Sequence, residues 1–380
     1  MNFEFTEEQL AVRDAARDFA QTELLPGVID RDETQTFPRE QVKKMGQLGF
    51  MGMMVDPKYG GGGMDTVSYV LAMEEISKID ASASVCMSVN NSLVCWAIEK
   101  FGTEEQKQKY LPVLASGEIW GGFCLSEPEA GSDATSQRTT AEDKGDYYLL
   151  NGNKNWITNG GTGSVFLVMA QTDREKAHKG INCLIVEKDM TGFEVGKKEN
   201  KLGIRGSDTH SLNFTDIKVP KANRLGKDGA GFNIAMQTLN GGRIGIAAQA
   251  LGIASGAYEL SVKYSKERKT FGKPIAHHQG ISFKLADMAT KIEAARLLCL
   301  QAAHAKDQKK DYAYFSAMAK LFASEVAMEV ATEAVQVHGG YGFVKEYHVE
   351  RMMRDAKITQ IYEGTSEIQK IVISRTLLKD

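Results

Sequence analysis

The sequence predicts an α+β multidomain protein: an N-terminal all-α domain, a middle antiparallel β-barrel or sandwich domain, and a C-terminal four-helix-bundle-like domain. Three observations carry this reading. The apolar period is helical to about Trp120, falls to two between about Gly121 and Leu225, and becomes helical again from Gly229. A chain of 380 residues is too long for one compact core. No βαβ alternation interrupts the middle stretch, so its strands pair with one another. The boundaries read as 1–120, 121–228 and 229–380.

The first helix opens at Thr6, with Glu8 and Gln9 behind it and Leu10, Val12, Ala16 and Phe19 along one stripe. Further helices are expected around Pro38–Leu48, Thr66–Ile79, Ala83–Phe101 and Thr103–Ala115. "DPKYGGGGMD" lacks the Lys-Ser/Thr of a phosphate loop and reads as a flexible surface turn. In "DYYLLNGNKNWIT", Asn151-Gly152 reads as the turn of a hairpin. "VFLVMAQT", "INCLIVEK" and "SLNFTDIKV" continue as strands. In the last segment Leu285, Met288, Ile292, Ala295 and Cys299 follow helical spacing, as do Phe315, Met318 and Phe322, and four or five such helices make a bundle.

Composition excludes several classes. The chain is 42% apolar and 25% charged with a net charge of −3, which gives no electrostatic case for nucleic acid or an anionic membrane. No apolar run is expected to span a bilayer, and "MNFEFTEEQL" has neither the basic nor the apolar region of a secretory signal. The five cysteines are scattered without a C-x-x-C pair and read as reduced, buried thiols, which suits a bacterial cytoplasm or a mitochondrial matrix. No pair of Glu-x-x-His motifs occurs in the helical segments, so a di-iron centre is disfavoured. G-x-S-x-G is absent, and "GGTGSVF" is a turn and not a dinucleotide fingerprint.

What remains is a set of polar and glycine-rich stretches: "FCLSEPEAGSD", "KNWITNGG", "ERKTFGKPIAHHQ", "QVHGGYG" and "IYEGTSEIQK". Singly, each reads more readily as something ordinary: a boundary loop, a packed Trp, a cationic turn, a helix C-cap, a surface glutamate. Together, in order and along essentially the whole chain, they resemble the acyl-CoA dehydrogenases. "GRIGIAAQALGIASGA" and "MRDAKITQIYEGTSEIQK" add to the match, while "SVNNSL" and "KKENKLGIRGSDT" resemble the short-chain, butyryl-CoA branch.

The resemblance implies the same three-domain order, bound FAD, a homotetramer, and α,β-dehydrogenation of an acyl-CoA to the trans-2-enoyl-CoA. Electrons would pass to an electron-transferring flavoprotein. A carboxylate removes the α-proton while the β-hydrogen leaves as hydride to flavin N5; by resemblance that base is Glu363. Some branches carry the base just before the arginine matching Arg243, but that position is Gly242 here. The family pattern places Phe123, Leu125, Ser126, Trp156, Ile157 and Thr158 along the flavin. It sets Arg268 against the FAD pyrophosphate with Phe271 also on the cofactor, gives Gln279, Gln336, Val337, His338, Gly339 and Gly340 to the dinucleotide from a neighbouring subunit, and has Thr365, Ser366 and Glu367 reach back to the FAD. Ser132, Asn240, Gly241, Gly242, Arg243 and Gly364 would meet the acyl-CoA, Ser132 also lying on the cofactor side. Glu129 and Asn240 depart from the family's usual residues. The other readings are a medium- or branched-chain dehydrogenase, an oxygen-using acyl-CoA oxidase or nitroalkane oxidase relative, and a non-catalytic scaffold.

Locally, Ser366 and Gln369 have capping-box spacing, so the last helix is expected to begin at Ser366, with Ile368, Ile371 and Val372 as its apolar stripe. Glu363 then lies in the connection before it, where Gly364 lets the backbone turn.

Overall fold

The computed structural model describes residues 4–379. Its first part is helical: α1 (Glu7–Phe19), α2 (Val28–Thr34), α3 (Arg39–Gln47), α4 (Thr66–Ser77), α5 (Ala81–Ser88), α6 (Trp96–Phe101) and α7 (Glu104–Ala115). The Thr6–Gln9 capping box closes in both directions, at 3.0 and 3.2 Å. A π-helical segment, Val89–Cys95, joins α5 to α6 without a break. The resulting helix, Ala81–Phe101, is long and apolar enough to cross a membrane, contrary to the sequence expectation, but 94% of its apolar window is buried inside the protein. Two asparagines on it bind neighbouring backbone. Asn90 donates to the Met51 and Leu114 carbonyls and accepts from Gly121 N–H; Asn91 donates to Phe50 O and accepts from Met53 N–H.

The four-glycine run is not the flexible turn its composition suggests. Gly62, Gly63 and Met64 N–H donate to the Gly52, Val55 and Met53 carbonyls. A Cβ on Gly61 would fall 2.2 Å from Val55 O. The glycines are there because backbone packs on backbone.

The middle segment is an eight-stranded sheet: β1 (Gly121–Cys124), β2 (Thr140–Asp143), β3 (Tyr147–Thr158), β4 (Val165–Gln171), β5 (Ile181–Glu187), β6 (Phe193–Lys198), β7 (Thr209–Pro220) and β8 (Arg224–Leu225). The order is β6-β7-β3-β2-β4-β5-β8, with β1 on β4. Most pairs are antiparallel, but β1 and β2 both meet β4 in parallel. Long connections separate them from β4 in sequence, and a parallel pair requires such a crossover. β4 is buried at every position. Val165, Leu167 and Met169 face the helical core while Phe166, Val168 and Ala170 face a second core inside the sheet. That two-sided burial explains the unbroken apolar run.

No hairpin forms at Asn151-Gly152. β3 runs straight through it, and the pair is a bulge in the ladder to β7. Asn151 and Asp216 exchange two hydrogen bonds at 3.0 and 2.8 Å, and a Cβ on Gly152 would lie 2.6 Å from Thr139 Oγ1. The Asn-Gly chemistry serves a bulge because a strand, not solvent, lies against it.

The C-terminal part holds α8 (Gly231–Glu267), the short ribbon β9 (Lys269–Thr270) and β10 (Lys273–Pro274), then α9 (Gln279–Asp307), α10 (Ala313–His338), α11 (His348–Ile358) and α12 (Ser366–Leu377). The middle of α8 is buried all round, and Gly252 and Gly256 let the backbone at Glu74 and Lys78 approach closely. On α10 the buried face is Ser316, Ala319, Lys320, Ala323 and Ala327, beside the half-buried Phe315, Met318 and Phe322 line that periodicity selected. The bundle therefore packs small residues against α8, and the aromatics lie at the margin.

Candidate active site

Glu363 sits in the seven-residue connection between α11 and α12, folded tightly by Tyr362 N–H to Ile358 O (3.1 Å) and Ser366 N–H to Gln360 O (3.0 Å). Two consecutive residues are left-handed, Glu363 at φ +52° and Gly364 at +96°. A glycine tolerates this freely; a glutamate does so only when its surroundings hold it. The turn points the side chain inward. The residue as a whole is half-exposed, yet both carboxylate oxygens are buried and neither has a hydrogen-bond partner. Burial raises the carboxyl to about 7, against the opposing charges of Lys320 and Arg243. A Cβ on Gly242 would lie 2.1 Å from Glu363 Oε2, and one of its other neighbours is Leu93 of the π-helical segment.

The connection is clamped from behind. Gly364 O accepts from Lys320 Nζ at 2.6 Å and from Gln369 Nε2 at 2.7 Å. Tyr362 donates its hydroxyl to Gln249 Oε1, whose amide in turn donates to Ala81 O and Ser84 Oγ. Arg243, also buried, donates from Nη1 to Asn240 Oδ1 at 2.8 Å and leaves Nε without a partner. The cap of α12 is Thr365, whose hydroxyl accepts from Ile368 N–H, and not Ser366. Ser366 and Gln369 form the buried face, with Ile371 41% exposed, because Gln369 is drawn inward to the Gly364 carbonyl. The predicted apolar stripe is thus displaced.

A second group lies at one end of the sheet. Ser126 O accepts from Asn155 N–H at 2.9 Å and Leu125 O from Lys154 Nζ at 3.1 Å, tying the loop after β1 to β3. Lys154 is fully buried and paired with Glu127 at 2.7 Å. Past it, a second bulge puts Trp156 at φ +58° with 57% of its surface exposed. Phe123, Leu125, Ser126 and Thr158 are half-exposed around this end, whereas the Ile157 side chain is buried in the sheet's own core and offers only its backbone. Ser132 is exposed on the following loop, and Glu129 pairs there with Arg138.

A third group forms a cleft of about 490 Å³ lined by Tyr264, Arg268, Val337, His338, Gly339 and Gly340 among others. His338 stacks on Tyr264 at 4.3 Å and its Nδ1 lies 2.8 Å from Ala334 O. Beyond the helix end Gly339 has φ +60°, and nothing lies within 4 Å of a Cβ on Gly339 or Gly340. Phe271 is 95% exposed, and Gln279 and Gln336 are exposed as well. Sixteen residues of α10 separate Gln336 from Lys320, about 24 Å of helix, so within one chain this cleft stands apart from Glu363.

These surroundings suit a flavin dinucleotide. The bare glycine backbone and the Arg268 guanidinium suit a pyrophosphate, and the exposed, bulge-held Trp156 offers a flat face to a ring system. Among the described residues no cluster of three metal-ligating side chains exists. Sequence reasoning missed Lys320 and Gln249, and gave Gln369 to a Ser366 cap where it binds the Gly364 carbonyl. Lys320 alone carried a signal, as a lysine in phase with the small buried residues of α10.

An α–β–α architecture with a buried, unpaired carboxylate, and a glycine-lined cleft that suits a pyrophosphate, fits a flavin-dependent oxidoreductase. The profile "Acyl-CoA dehydrogenase, N-terminal domain" matches residues 6–118, the middle-domain profile residues 122–217 and the C-terminal-domain profile residues 229–378. The chain belongs to the acyl-CoA dehydrogenase family, whose members are FAD-dependent. It is 52% identical over 379 residues to the short-chain specific acyl-CoA dehydrogenase of Clostridium acetobutylicum, covering 100% of both chains. The solved butyryl-CoA dehydrogenase of Megasphaera elsdenii superposes with a TM-score of 0.98 at 49% identity, covering 100% of each chain. A chain in a structure described as the electron transferring flavoprotein of Acidaminococcus fermentans superposes at 0.99 with 53% identity, again over 100% of each.

Proposed function

We propose that the protein dehydrogenates a short-chain, butyryl-CoA-like thioester to its trans-2-enoyl-CoA, with Glu363 as the base. The observation that carries this is the Glu363 carboxylate: buried, without a hydrogen-bond partner, and raised to about 7. A base with that proton affinity is ionised in a useful fraction at neutral pH and strong enough to take an α-proton. The Glu363 N–H donates to the thioester oxygen and stabilises the charge that develops there as the proton leaves. Bound FAD supplies the acceptor for the hydride from the β-carbon. Asn240 to Arg243, Gly364 and Ser132 meet the acyl-CoA. Phe123, Leu125, Ser126, Trp156 and Thr158, with the Ile157 backbone, line the flavin. Arg268, Phe271, Gln279 and Gln336 to Gly340 hold the dinucleotide of a neighbouring protomer in a homotetramer, and Thr365 to Glu367 approach it from the Glu363 side. The separation of the Arg268 cleft from Glu363 along α10 supports that division between protomers. An electron-transferring flavoprotein takes the electrons onward, and the working divisions of the chain are 1–120, 121–228 and 229–380.

Anaerobic titration tests the reading. The purified yellow protein should bleach with butyryl-CoA, and more completely than with C8 or branched acyl-CoAs. Glu363→Gln should retain FAD and stay yellow. Colourless protein, or full bleaching of the Gln variant, would sink the assignment.

A further inference from the structure

Lys320 has no part in the chemistry just described, yet it is fully buried in the N-terminal third of α10. Burying an ammonium is unfavourable unless its surroundings compensate. Its hydrogen bond goes to Gly364 O, at 2.6 Å, in the residue immediately after Glu363. The same carbonyl accepts from Gln369 Nε2, which also lies 3.4 Å from Glu363 O. Donors from two helices, α10 and α12, thus converge on a turn in which a non-glycine residue with φ +52° is followed by a glycine with φ +96°.

We propose that Lys320 is a positioning residue for proton abstraction: its ammonium, bonded to the Gly364 carbonyl, holds the Glu363–Gly364 turn in the conformation that lays the carboxylate against Gly242. This rests on the reading of Glu363 as the base. The amine acts in two ways, through the backbone and through its charge. The groups facing Glu363 are Arg243 from α8, Lys320 from α10, Tyr69 from α4 and the adjoining Tyr362, while Glu367 of α12 faces Lys320. Burial raises the Glu363 carboxyl, and Lys320 and Arg243 oppose it. Burial in turn pushes Lys320 down to about 7, with Glu363 opposing, so the two groups titrate as a coupled pair near neutrality. Without Lys320 only Arg243 opposes burial. The base then ionises at higher pH, and its turn loses one of two donors.

The test separates proton abstraction from redox turnover. FAD-loaded enzyme is mixed with an α-deuterated β-thia acyl-CoA, in which sulfur replaces the β-carbon so that no hydride can leave. Loss of α-deuterium is followed against pH. Lys320→Met should slow exchange about tenfold at pH 7 and move the acid limb to higher pH, while Lys320→Arg restores the limb. A Met variant with the wild-type rate and limb overturns the proposal, as does an Arg variant whose limb moves with that of Met. If the Met variant does not fold, Lys320→Gln takes its place, and an unmoved acid limb is again fatal. Glu363→Gln, run in parallel, keeps the two readings distinct. Exchange that survives in that variant removes Glu363 as base, whatever the Lys320 variants do.

Discussion

The Glu363 carboxylate occupies the space that a side chain at Gly242 would take, with 2.1 Å between Oε2 and a Cβ built there. α8 and the α11–α12 connection, more than a hundred residues apart, are matched at this point. Gly242→Ala should therefore leave the fold intact and displace the carboxylate. An ångström of misplacement costs about a hundredfold in rate. Steady-state turnover of butyryl-CoA should fall by about that much with FAD content unchanged, which absorbance of the purified variant checks.

Glu363 also makes stability depend on pH. Its carboxyl rises from 4.5 to about 7 on folding, so the neutral form favours the folded state. That contribution is complete below pH 4.5 and is lost as pH rises through 7. Glu363→Gln carries no such loss. At pH 8, where Lys320 is already largely neutral, the substrate-free variant should be more stable than wild type by on the order of 3 kcal/mol, and the difference should vanish near pH 4.5. Denaturant titrations at the two pH values measure it.

The flavin-side loop depends on a buried ion pair. Glu127 accepts from Lys154 Nζ at 2.7 Å and from Arg138 N–H at 2.6 Å. Glu127→Gln removes the charge opposite the buried ammonium and leaves it only neutral acceptors, Leu125 O and Gln137 Oε1 among them, and should cost about 3–5 kcal/mol. Because Lys154 and Asn155 also hold Leu125 and Ser126, the variant should lose FAD on gel filtration more readily than wild type.

Within the four-glycine run, Gly61→Ala should destabilise by about 1–3 kcal/mol, since its Cβ meets Val55 O at 2.2 Å. Gly131→Ala, with nothing within 4 Å, is the neutral control. Thermal denaturation of the pair distinguishes packed backbone from a slack loop.

Much of this was legible in the chain. The change from helical to two-residue periodicity reports which faces are buried, and burial pattern is a local property of strands and helices. The Thr6–Gln9 box depends on residues three apart, and it forms as read. The errors share a cause. Asn151-Gly152 has hairpin chemistry, but β7 lies beside it and uses the same freedom for a bulge. Ser366 has cap spacing, yet Thr365 takes the cap because Gln369 is pulled onto the Gly364 carbonyl. In each case a partner other than the one the local pattern names overrode the preference: a distant strand for Asn151, the nearby Gly364 carbonyl for Gln369.

The sequence by itself determined the order of the three segments, the absence of a side chain at Gly242, and the placing of Glu363 beside a glycine that permits a turn. Only the tertiary structure decided that the carboxylate points inward, is dry, and has Lys320 and Arg243 as its opposing charges. Proton affinity depends on burial and on charges brought together from α8 and α10, and neither exists until the chain has folded.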